Sequence, residues 1–202
     1  AILTDEERAR ARSLGDRVGV AFATAAKDEQ LYYQANYDAL TTLPNRLYFK
    51  DQLARRYAQA QREPQPFALL FIDLDNFKSV NDSLGHAAGD EVLRQTAERL
   101  KRCVRETDTV TRLGGDEFTI ILAHLRAVRD PESVAEHVLR SLAAPFIIAG
   151  NEHFLSASIG IALYPEDGKS AEELLRNADT AMYRAKEGGR GRFEYFEERM
   201  NV

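Results

Sequence analysis

The chain has 202 residues, 44% apolar and 29% charged, which suits one full hydrophobic core with an extension and ordinary soluble globular usage. The formal net charge of −5 excludes a general electrostatic footprint for a nucleic-acid polymer, so a bound nucleotide needs a local site. No apolar run reaches the roughly 20 residues of a membrane span, the opening "AILTDEERARAR" has no signal-peptide pattern, and the single Cys103 has no intrachain disulfide partner; a reducing, cytoplasmic setting is expected.

Thr4 and Glu7 form a capping-box pattern, and Leu14, Val18, Ala21 and Ala25 then recur at helical steps. Residues 1–36 are therefore expected to form a helix, interrupted in propensity by Gly15 and Gly19; the plainer reading packs it on its own domain, and the narrow, alanine-rich stripe favours a connector that pairs with a copy of itself or descends from an upstream domain. In "DALTTLPNR", residues 38–46, Pro44 and the Thr and Asn residues predict a turn, followed by a helix over residues 46–62 carrying Leu47, Phe49, Leu53 and Tyr57. "FALLFIDLD", residues 67–75, has the continuous apolar character of a strand covered on both faces, and it ends in two acids.

The spacing of Val92, Leu93, Ala97, Leu100 and Val104 predicts a helix over residues 89–104, with Cys103 as a core or boundary residue. Residues 110–113 and 118–122 read as the arms of a hairpin around "GGDE". Asp130 and Pro131 open the next helix, with Val134, Val138 and Leu142 as its buried stripe. "FLSASIGIALY", residues 154–164, is the second long strand; Ser170 and Glu173 cap a helix along Leu174, Ala178, Ala181 and Ala185, which "EGG" ends, and "RFEYF" is a last strand. This order predicts an α/β sandwich of the α+β class, a mostly antiparallel central sheet with surrounding helices.

Asp73 and Asp75 are two apart, so a continuing strand would send both to one face. Acids at the end of a buried strand need a compensating cation. A hairpin pairing beside that strand would deliver Asp116 and Glu117 to the same edge. Hard oxygen ligands without His or Cys suit Mg2+ or Mn2+, and magnesium suits phosphate substrates. The plainer reading is that these acids are solvated loop residues. A calcium loop counted from Asp73 fails, because Lys78 would stand at the glycine position and Leu84 at the bidentate acid.

"RLGGDEF" resembles the signature of GGDEF-domain diguanylate cyclases, and the resemblance extends through "DALTTLPNR", "FIDLDNFKSVNDSLGHAAGDEVL" and "ADTAMYRAKEGGRGR" over about residues 37–197. It implies a ferredoxin-like, nucleotidyl-cyclase-like fold over residues 37–202 and the condensation of two GTP into cyclic di-GMP with loss of two pyrophosphates. Two Mg2+ or Mn2+ ions would be held by the carboxylates of Asp73 and Asp116 and the carbonyl of Leu74. Asp116 would also be the base for the ribose 3′-hydroxyl, supported by Glu117, while Lys78 neutralises phosphoryl charge. Gly114 and Gly115 let the nucleotide approach the turn. Asn81 and Asp90 would read guanine, His86 would contact substrate, and Lys186 and Arg190 would hold the terminal phosphates. Arg105 and Asp108 match an inhibitory product site of the RxxD type. Asp38 and Arg112 match a structural salt bridge, although Thr42 stands where the family usually has glycine.

The implied partners are GTP, cyclic di-GMP as product and inhibitor, and a second copy of the chain, since each copy holds one GTP. The N-terminal helix resembles the exit helix of a sensory domain, and "FEYFEERMNV" resembles the join to a downstream EAL domain in tandem members. Two other classes stay open: a GGDEF module that binds GTP without turnover, and a ferredoxin-like RNA-binding module, which the net charge and the lack of an aromatic-rich "GFGFV"-type strand both oppose.

Overall fold

The computed structural model describes residues 5–125 and 130–201. Contacts divide the chain into two units, Ala1–Tyr37 and Asp38–Val202. The first holds helix α1 (Asp5–Asn36), continuous through Gly19, on which Leu14, Val18, Val20, Phe22, Leu31, Tyr32 and Tyr33 are exposed. Thr4, the expected cap, lies outside the described residues.

The second unit is built around β1 (Phe67–Leu74), buried at every position. β1 is flanked by two antiparallel neighbours, β3 (Glu117–Leu122) and β6 (Ala157–Tyr164). The edges are β2 (Thr109–Gly114), antiparallel to β3, and β7 (Phe193–Tyr195), which runs parallel to β6. The sheet order β2-β3-β1-β6-β7 is thus mostly antiparallel, as the sequence predicts.

The strand period of two explains how both faces are filled. Ala68, Leu70, Ile72 and Leu74 face α4 (His86–Cys103) and α5 (Asp130–Ala143), through residues such as Val92, Leu100, Val138 and Leu142. Phe67, Leu69 and Phe71 face α2 (Arg46–Arg62) and α6 (Ala171–Glu187), through Phe49, Leu53, Leu174 and Met182. Side chains of this size contribute about 1.5–3 kcal/mol each when fully buried.

α6 lies unusually close to the sheet. It presents Ala178, Ala181 and Ala185 as a buried small-residue stripe. Opposite it, Gly160 has no room for a side chain: a Cβ there would stand 1.9 Å from the Ala178 carbonyl oxygen and 2.2 Å from the Met182 nitrogen.

The structure departs from the sequence reading at four places. The strand expected from Phe154 begins at Ala157, and Phe154 is exposed. "FKSVNDSLGHAAGD" is helical: α3 (Phe77–Leu84) precedes α4, which starts at His86 where the spacing predicts a start at residue 89. β4 (Phe146–Ile148) and β5 (Asn151–His153) form a small separate hairpin. Asp75 lies beyond the end of β1, and it does not share the surroundings of Asp73. Cys103 is buried, as expected.

Candidate active site

The register of β1 against β3 sets Asp73 directly opposite Glu117, and the Leu74 N–H donates to the Asp116 carbonyl at 3.3 Å. The strand end and the hairpin turn therefore meet at one sheet edge, as the sequence predicts. Gly114 and Gly115 both take positive φ, 141° and 51°, which a side chain would strain. Two arginines hold this turn. Arg112 donates from Nε and Nη2 to the Gly115 carbonyl at 3.0 and 2.9 Å, while its Nη1 reaches both oxygens of Asp38 at 3.0 Å. Arg46, at the start of α2, donates to the Leu113 carbonyl at 3.1 Å and lies 3.5 Å from Glu117.

The expected pairing of Asp38 with Arg112 is thus present. Asp38 also accepts from the N–H and hydroxyl of Thr41 at 2.9 and 2.6 Å. Burial pushes the Asp38 carboxyl up, but the hydrogen bonds from Thr41 and Arg112 outweigh it and leave the group below its ordinary value. In the same turn Thr42 has φ 59°, which explains why glycine suits that position and shows that threonine still makes the turn.

Lys186, near the end of α6, pairs with Asp73 at 2.8 Å. Burial pushes the Asp73 carboxyl up to about 6; the Lys186 hydrogen bond opposes this, and the charges of Asp116 and Glu117 add to it. Glu117 is also raised, by burial first, with Arg46 opposing and Asp179 and Asp116 adding. Asp179 is raised by burial against the pull of Lys186. Four acids therefore crowd the position where Lys186 supplies counter-charge. The Asp116 carboxylate makes no hydrogen bond or ion pair among the described residues.

These donors suit a hard divalent cation. Asp73, Asp116 and the Leu74 carbonyl offer oxygen only, and like-charge repulsion is what a divalent ion relieves. Among the described residues no group of three or more His, Cys, Asp or Glu side chains is placed to hold a metal ion by itself.

Following β1 in the chain, α3 and α4 pack together through Gly89, where a Cβ would fall 1.9 Å from Asn81 Oδ1. The amide of Asn81 is thus brought against the backbone beside half-buried Asp90. His86 is the exposed first residue of α4, and Lys78 is exposed on α3. Arg190 is exposed in the loop after α6 with φ 64°. Arg105 and Asp108 lie at the far end of β2 from the turn, about 17 Å along an extended strand. The Asp108 carboxylate accepts from the backbone of Arg105 at 3.0 Å and Ala123 at 3.1 Å, and both residues line surface cavities of about 300 and 530 Å³.

Sequence reasoning passed over Arg46, Asp179 and the actual contacts of Asp75. The available signal for Asp75 was the pair Ser156 and Ser158, polar residues just before and at the start of an otherwise apolar strand.

A mostly antiparallel α+β sheet that carries acids at the β1 end and on a glycine hairpin, with a lysine paired to them, is a nucleotidyl-cyclase-like fold. The family profile of the diguanylate cyclase, GGDEF domain, matches residues 35–192, and the chain belongs to this family. It is 46% identical over 183 residues to the bifunctional diguanylate cyclase/cyclic di-GMP phosphodiesterase MucR of Pseudomonas aeruginosa, covering 91% of this chain and 27% of that protein. It is 45% identical over 166 residues to the diguanylate cyclase TpbB of the same species, covering 82% of this chain and 38% of TpbB. The cyclic di-GMP phosphodiesterase PdeR of Escherichia coli is 41% identical over 173 residues, 86% of this chain and 26% of PdeR. The chain therefore spans only about a quarter to two-fifths of these relatives.

Among solved structures, the GGDEF domain of TpbB superposes with a TM-score of 0.80 at 44% identity, over 82% of this chain and 96% of that one. The coiled coil and GGDEF domain of DgcB from Caulobacter crescentus, in complex with c-di-GMP, gives 0.82 at 29% identity, over 92% and 98%.

Proposed function

We propose that this chain is a Mg2+-dependent diguanylate cyclase domain that joins two GTP into cyclic di-GMP. The observation that carries the reading is the β1–β3 register, which sets Asp73 and the Asp116 and Glu117 turn at one edge within a GGDEF fold. Each 3′-hydroxyl attacks the α-phosphorus of the other GTP; a P–O bond forms, the bond to the β-phosphate bridge breaks, and pyrophosphate leaves.

Asp73, Asp116 and the Leu74 carbonyl would hold two Mg2+ or Mn2+ ions, which stabilise phosphoryl charge when bound. Asp116 takes the hydroxyl proton, with Glu117 beside it. Lys78 faces the developing charge, and Lys186 and Arg190 receive the terminal phosphates. Asn81 and Asp90 read the guanine edge, His86 contacts the nucleotide, and Gly114 and Gly115 admit it to the turn.

Each domain holds one GTP, so two chains face each other, organised by residues 1–36 as a connector. The cavities beside Arg105 and Asp108 support an inhibitory product site distant from the acids. A cytoplasmic setting and a parent with an upstream sensory domain belong to this reading, which is compatible with a downstream EAL domain. Among the described residues no helix is long and apolar enough to cross a membrane.

The second reading is a GTP-binding module without turnover. It is favoured by the presence of PdeR, a phosphodiesterase by name, among relatives of this region. Purified chain stripped of nucleotide and incubated with Mg2+ and GTP separates the two: cyclic di-GMP supports the cyclase, and GTP binding without product supports the module.

A further inference from the structure

Asp75 is 3% exposed, and its carboxylate collects three hydrogen bonds from distant parts of the chain. Oδ2 accepts from Ser156 Oγ at 2.6 Å and from the Gly191 N–H at 3.0 Å, and Oδ1 accepts from Ser158 Oγ at 2.7 Å. Its own N–H donates to the Ser156 carbonyl at 2.9 Å. No cation pairs with it among the described residues, so these donors must offset its desolvation.

What the carboxylate holds is the loop after α6. Gly189, Arg190 and Gly191 have φ of 118°, 64° and 59°. The glycines adopt such values freely, but at Arg190 the left-handed conformation costs about 1–2 kcal/mol. It persists only where the surroundings over-determine it. On one side the Arg190 N–H donates to the Ala185 carbonyl at 3.1 Å, and on the other the Ile159 N–H donates to the Arg192 carbonyl at 3.0 Å. Between them, Asp75 supplies the side-chain anchor.

We propose that Asp75 is a positioning residue that locks the loop bearing Arg190, and the α6 end bearing Lys186, to the strand end bearing Asp73 and Leu74. The cations for the terminal phosphates and the oxygens for the metal are then held in one register. The inference rests on the reading of this edge as a GTP site.

The test compares Asp75→Ala and Asp75→Asn with the parent by backbone amide exchange of the nucleotide-free protein and by GTP kinetics. In Asp75→Ala, exchange over residues 189–192 should quicken at least tenfold, and the KM for GTP should rise tenfold or more with a smaller fall in kcat. In Asp75→Asn, the oxygen can still accept from Gly191 and Ser156 while the amide donates to Ser158 Oγ, so both readouts should return to within about threefold of the parent. If Asp75→Ala does not fold, Ser156→Ala combined with Ser158→Ala unties the carboxylate from β6, and the same changes are expected. Unchanged exchange over residues 189–192, or a loss of kcat and thermal stability with KM unchanged, overturns the proposal. A parent that neither binds nor turns over GTP would instead fail the cyclase reading, and the exchange result would still decide whether Asp75 locks the loop.

Discussion

Gly160→Ala tests whether the close approach of α6 to the sheet builds the site. The new methyl would stand 1.9 Å from a helix carbonyl and 2.2 Å from a helix nitrogen, both backbone atoms that cannot rotate away. Reaching ordinary contact requires α6 and β6 to separate by about 1.5 Å, and a gap of even 0.5–1 Å forfeits a quarter to a half of each dispersion contact. Overpacking of this kind typically costs about 1–3 kcal/mol, and contact with rigid backbone puts this site at the upper end, about 3 kcal/mol. For a chain of this length that corresponds to a fall in Tm of roughly 6–12 °C. The same separation draws Lys186 away from its 2.8 Å contact with Asp73, so GTP affinity should fall with stability. Thermal unfolding and a GTP titration of the folded variant check both. A Tm within 2 °C of the parent with unchanged GTP affinity would refute the claim that Gly160 sets the height of α6.

Asp116→Asn should lower cyclic di-GMP formation by at least about 100-fold, measured by mass spectrometry. Its Tm should match or exceed the parent's, because it removes one of the charges crowding Asp73. Asp38→Asn should cost about 2 kcal/mol near neutral pH by weakening the bonds to Arg112 and Thr41. Because the folded carboxyl lies below its ordinary value, that stability is present above the unfolded value and is lost as pH falls through the folded one. The gap between parent and variant in urea unfolding should therefore be full at pH 6 and close below about pH 4. Thr42→Gly should hold or raise stability by up to about 1 kcal/mol, since it relieves a left-handed threonine at the expense of chain entropy; a fall in Tm would contradict this.

The parts of this fold that were legible in the sequence are those fixed by local periodicity. The unbroken apolar run from Phe67 announced a strand covered on both faces, and alternation divides its residues between two helical layers. Acids at the end of that run and on the glycine hairpin indicated where strand and turn would meet. Short elements were less visible: α3 has eight residues and one buried side chain, and β4 and β5 have three residues each. Long-range contacts left almost no local trace. Asp75 meets Ser156 and Gly191, 81 and 116 positions away, so its spacing suggested a face shared with Asp73, whereas it hydrogen-bonds to the loop after α6. Arg46 meets the Leu113 carbonyl 67 positions away and read only as the start of a helix. Family likeness named Lys186 as a phosphate ligand; its contact with Asp73 depends on how closely α6 packs, which no short motif encodes.

The most direct measurement is the amount of cyclic di-GMP formed from GTP and Mg2+ by the nucleotide-stripped chain over a range of protein concentrations. Product should rise faster than linearly with protein, as two facing sites require. GTP binding with no product, even at high concentration and with a fused dimerising helix, would contradict it and assign the domain to a non-catalytic, GTP-sensing role.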